Sequence, residues 1–117
     1  MTLSNIKPFV PSGKDFKKSK ELFLAMGFEI MWESEGYVGF HKDSVSFILQ
    51  DYENKELAQN LMIQIEVEDL DELWRELEQK EITKKFEVKL REPTVFPYGR
   101  EIHFIDIAGV CWHFAEK

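Results

Sequence analysis

Only four prolines, six glycines, three histidines and one cysteine occur in the 117 residues. A single cysteine excludes an internal disulfide framework. So little proline and glycine places the chain among ordinary globular sequences. No apolar run approaches the ~20 residues needed to span a bilayer. The N-terminus, MTLSNIKPFV, lacks the basic start and long apolar run of a secretory signal. Positive charge is the minority sign: 15 Lys and Arg stand against 22 Asp and Glu, for a net charge of −7. Such a field repels nucleic-acid phosphates and anionic lipid, and draws in cations. These absences predict a soluble cytoplasmic protein with no nucleic-acid or membrane partner.

What is abundant is aromatic. Ten Phe and three Trp are generous for this length, enough to fill a core and line a pocket as well. A chain of this size forms one domain that buries roughly two-thirds of its unfolded surface. Periodicity then divides it. Residues 5–10 read as a short strand interrupted by Pro8. Ser12 and Asp15 start a helix in which Phe16, Ser19, Leu22, Phe23 and Met26 recur at helical spacing, and Gly27 stops it. Strands are predicted over 28–33, 37–41 and 44–50. Residues 51–60 are polar and without period, and read as a linker. A strand over 61–67 follows. Asp69 caps a helix carrying Leu70, Leu73, Trp74 and Leu77. Further strands are predicted over 84–91, 100–106 and 110–116, with a loop at 92–99.

The order strand, helix, three strands therefore occurs twice. One domain spans 1–117, with repeat one at about 5–50 and repeat two at about 61–116. The predicted class is α+β: two βαβββ repeats forming curved mixed sheets around a cavity. One face of each sheet packs under a helix, and the other must find a partner. A hollow between the two uncovered faces is the expected ligand site. Strand alternation sorts the side chains. Leu61, Ile63, Ile65 and Val67 belong under the helix, so Met62, Gln64 and Glu66 face the hollow. In the last strand Val110, Trp112 and Phe114 are the core set, leaving Cys111 and His113 on the other side. For Glu101, His103 and Ile105 against Ile102, Phe104 and Asp106, alternation alone leaves the orientation open.

Asp15-x-x-x-Ser19 with Leu22-Phe23 and Met26-Gly27-Phe28, and the hairpin at Asp106-x-x-Gly109, resemble the glyoxalase/bleomycin resistance/extradiol dioxygenase superfamily, whose fold is the vicinal oxygen chelate fold. Val67-Glu68-Asp69-Leu70-Asp71-Glu72-Leu73, Tyr98-Gly99-Arg100-Glu101 and Asp106-x-Ala108-Gly109-x-Cys111-x-His113-Phe114 are similar to bleomycin resistance proteins in particular. The resemblance implies a homodimer that exchanges its first strand at Pro8. It also implies non-enzymatic sequestration of a bulky cationic, aromatic antibiotic in clefts between subunits. It places ligand-contacting aromatics at Trp32, Tyr37 and Tyr98. A further pocket aromatic falls at Gln64, where this chain departs from the pattern.

Catalytic members of the superfamily hold a divalent ion through residues on the first, fourth, fifth and last strands. The corresponding positions offer Pro8, no His or carboxylate in 44–50, Met62 and His113. One ligand does not make a site, so no metal and no cofactor are expected. Cys111 and His113 share a strand face, but no oxyanion donor or orienting third group is readable, so Cys111 reads as a small buried hydrophobe. The aggregate set of expected ligand contacts is Trp32, Tyr37, Met62, Gln64, Glu66, Tyr98, Cys111 and His113. Two other readings stay open at this point: a metal-dependent lyase, isomerase or dioxygenase of the same fold, and a catalytically silent metabolite-binding domain.

Overall fold

A computed structural model describes all of residues 1–117. The elements run β1 (Phe9–Pro11), α1 (Phe16–Ala25), β2 (Glu29–Ser34), β3 (Tyr37–Lys42), β4 (Val45–Gln50), α2 (Lys55–Asn60), β5 (Met62–Val67), α3 (Leu70–Gln79), α4 (Ile82–Lys85), β6 (Lys89–Phe96), β7 (Gly99–Ile105) and β8 (Cys111–Glu116). They form two four-stranded sheets with matching orders, β1-β4-β3-β2 and β5-β8-β7-β6. In each, the first strand pairs parallel with the last, and the remaining pairs are antiparallel. The α+β class and the doubled sheet plan are as the sequence predicts.

Both main helices begin where an acidic cap satisfies a free amide. Asp15 accepts from the Lys18 N–H and Asp69 from the Glu72 N–H, each at 3.0 Å. The first cap is thus Asp15 rather than Ser12. The Ser12 side chain instead donates to the Gly13 carbonyl, and its own carbonyl accepts from Ser19 Oγ at 2.5 Å. Helix α1 ends at Gly27 with φ +104, and Phe28 N donates back to the Phe23 carbonyl. That left-handed stop closes the helix end without a steric penalty.

One core serves both sheets. Phe23 of α1 and Phe47 of β4 meet Trp112 of β8, with ring centroids 5.5 and 5.1 Å apart. Val38, Phe40 and Leu49 enter this core from the first sheet, and Ile102, Phe104 and Phe114 from the second. Tilted and edge-on ring pairs of this kind add directional preference to burial. The helix-covered faces of both sheets are therefore consumed by the core. The opposite faces point outward, so a single chain does not enclose the hollow expected between them.

Three local readings change. The stretch 51–60 is not a plain linker: Asn54 caps helix α2 by accepting from Leu57 N, and Ala58 is buried. The strand expected over 84–91 starts later and ends later: residues 82–85 form helix α4, and β6 spans Lys89–Phe96. Strand β6 reaches Phe96 because a register shift between Arg91 and Thr94 absorbs Glu92 and Pro93, and a bulge tolerates a proline that cannot donate to the ladder. The first strand is Phe9–Pro11, not 5–10. Pro8 accepts from Ile48 N at 2.9 Å just ahead of the strand, while residues 1–7 extend away from it and are exposed.

Candidate functional site

The outward face of the first sheet is organised by a bulge. Ile30 faces Phe40, which is a core position, and simple alternation would send Trp32 inward beside it. The register shift between Ile30 and Trp32 turns the indole to the other side, opposite Gly39. There the ring lies flat on the sheet: a Cβ at Gly39 would sit 2.3 Å from Trp32 Nε1. The indole remains 39% exposed. Tyr37 shares this face and meets Phe9 edge-on at 6.1 Å.

On the second sheet, β7 is oriented with Ile102 and Phe104 inward, which resolves the choice that alternation left open. Register then lines up the outward side chains. His103 lies opposite His113, and His113 opposite Gln64. Met62 lies opposite Cys111, and Glu66 opposite Ala115. At the centre is Glu101. Its Oε1 receives His103 Nε2 at 2.9 Å and His113 Nδ1 at 3.0 Å. Though on an outward face, its side chain is only 3% exposed, because the two rings cover it. Desolvation pushes this carboxyl up, but hydrogen bonds from His103 and His113, the His113 charge and a Gln64 hydrogen bond outweigh it. The net result lies below the ordinary carboxylate value.

A row of rings extends from this centre. His103 stacks on Phe96 at 4.9 Å, and Phe96 on Tyr98 at 5.5 Å. Arg91 lies 5.4 Å from the Phe96 ring centroid. Tyr98 projects from the β6–β7 turn and is 68% exposed. Cys111 Sγ lies 3.4 Å from His113 Nε2, and burial, with the charges of Asp106 and Glu101, raises its pKa. A thiol held protonated is a poor nucleophile. His41 sits apart, 3.7 Å from Glu29.

Of the residues singled out from sequence, Met62, Gln64, Glu66, Cys111 and His113 share one outward face, with Tyr98 at its margin. Trp32 and Tyr37 share the other. Within one chain nothing joins the two groups. The cleft of about 550 Å³ between Lys42–Val45 and the ends of β5 and β8 touches Glu66 but none of the others. Glu101 and His103 lie outside the set expected from sequence, because alternation left the orientation of their strand open. The resemblance puts metal ligands on strands one, four, five and eight, whereas these two lie on the seventh. The signal was present: Ile102 and Phe104 are the bulkier apolar pair, and placing them inward puts Glu101 and His103 on the side of His113.

A bleomycin-binding protein complexed with bleomycin superposes with a TM-score of 0.83 at 17% identity, covering 98% of this chain and 99% of that one. The fold is that of the bleomycin-binding proteins. The bleomycin-binding protein of Streptomyces verticillus, complexed with copper(II)-bleomycin, gives 0.81 at 21% identity, covering 100% and 98%. A glyoxalase/bleomycin resistance protein/dioxygenase from Nocardioides gives 0.70 at 15%, covering 99% and 85%. No family model and no curated protein matches the sequence. No helix is long and apolar enough to cross a membrane.

Proposed function

We propose that this protein binds rather than converts its ligand: it takes up a bulky, cationic, aromatic small molecule of the bleomycin class in clefts formed between two copies of the chain. One observation carries the reading. Each sheet offers an outward face whose large aromatics, Trp32 with Tyr37 and Phe96 with Tyr98, stand ready for flat rings, and a single chain leaves both faces uncovered. Each stacked ring pair contributes about 1 kcal/mol beyond burial. The net charge of −7 favours capture of a cation. The fold shared with bleomycin-binding proteins supports the same ligand class. Exchange of residues 1–8 across a dimer, hinged at Pro8, would supply the missing partner for that arm.

Calorimetry with a bleomycin-class drug tests this. Saturable binding at micromolar protein is expected, weakening as salt rises. Gly39→Ala should weaken it by about tenfold, because the added methyl lifts the Trp32 indole off the sheet. No heat of binding would retire the drug assignment.

A further inference from the structure

Glu101, His103 and His113 each offer one ligand atom, all within 4.8 Å of one another. We propose that these three side chains form a binding site for a divalent transition metal of the zinc class, on strands β7 and β8. The spacing fits. Glu101 Oε1 lies 2.9 and 3.0 Å from the facing histidine nitrogens, and bonds of about 2.1 Å to one ion place neighbouring donors roughly 3.0–3.5 Å apart. The donor chemistry also fits. Two imidazoles and a carboxylate select zinc, cobalt, nickel or iron over magnesium and calcium, which want oxygen. The three donors come from adjacent strands in fixed register, His103 directly opposite His113, so the site is positioned by the sheet ladder and not by a loop.

The surroundings complete it. Phe96 stacks on His103, so one of the two rings is already oriented by a neighbour. To bind the ion, His103 Nε2 and His113 Nδ1, the nitrogens that now face Glu101, would give up their protons and direct their lone pairs at the ion, each ring keeping its proton on the other nitrogen. The two N–H bonds that now neutralise the buried carboxylate are thereby exchanged for a cation. Protonated imidazole cannot ligate, so affinity falls in acid. Three protein ligands leave a coordination position open toward the outward face. That position lies in the face assigned above to the ligand, yet the metal site does not depend on what the ligand is.

The untagged chain, stripped with chelator, is titrated with zinc by calorimetry and with cobalt by visible absorption. One equivalent per chain is expected, with ligand-field bands from cobalt. His103→Asn and Glu101→Gln should each weaken zinc by about 100-fold. His41→Asn, which alters the histidine outside the site, should leave it unchanged. Absence of one-equivalent binding by the unmodified chain overturns the proposal without recourse to any variant. So does binding that survives His103→Asn, or that is lost with His41→Asn. Drug calorimetry on the metal-free chain reads the binding function separately, so either claim can fail alone.

Discussion

Two acids in this protein are held by opposite means. Asp106 accepts Trp112 Nε1–H at 2.9 Å through one oxygen, and the backbone amides of Ala108, Gly109 and Val110 through the other. Burial pushes its pKa up to about 6 from an ordinary 3.8, against the pull of those four donors. Glu101 is instead drawn below its ordinary 4.5. The linkage signs therefore differ. Between pH 3.8 and about 6 the native chain holds a proton at Asp106 that the unfolded chain has lost, so this group's contribution declines as pH rises through that window. The Glu101 contribution is present above pH 4.5 and is lost as pH falls below it. Asp106→Asn removes the first dependence and sets an amide N–H against the Trp112 indole, a mismatch of about 1–3 kcal/mol. Urea midpoints measured from pH 4 to 7 should show a destabilised variant whose deficit narrows toward neutral pH. A deficit that widens toward neutral pH would show that the four donors outweigh burial.

At the scale of elements, the caps and bulges do most of the positioning. Helix α3 begins on Asp69 and carries Asp71 and Glu72 in its first turn, where acidic side chains suit the free amides. Arg100 of β7 holds it to the sheet by bridging Asp71 and Glu116, each at 2.9 Å, and these partners raise the arginine's pKa and lower that of Asp71. Asp69→Ala should cost about 1 kcal/mol by thermal or urea denaturation, since one N-cap acceptor is lost. The bulges repeat with the fold: β2 shifts register at Met31, and β6, its counterpart, at Glu92 and Pro93. Both fall on the strand farthest from the parallel pair, and both re-aim an aromatic outward, Trp32 in one sheet and Phe96 in the other. The duplication and the helix starts were legible in the residues. The bulges were not, because a bulge is defined by the partner strand it faces. Simple alternation from Ile30 therefore predicts the wrong side for Trp32.

Across the whole molecule, the unsettled surface is that turned away from the shared core. Leu3 and Ile6 on the N-terminal arm are 87% exposed, and both outward sheet faces carry exposed apolar rings. A second copy that accepts the arm and covers these faces would bury all of them together. On the proposed pairing, deleting residues 1–8 is expected to shift a dimer to monomer by light scattering, and to abolish the proposed drug binding with it. A truncated chain that stays dimeric would assign the interface to the sheet faces alone.

The residues by themselves determined the doubled strand and helix plan, the capped helix starts and the inward aliphatic faces, because these depend on local spacing and on the chemistry of neighbours in the chain. Only the tertiary structure decided that Glu101 and His103 join His113, that Trp32 lies flat over Gly39, and that both aromatic faces look outward. Each of those outcomes depends on register between strands and on which face the common core consumes. Both are set by packing between segments distant in sequence.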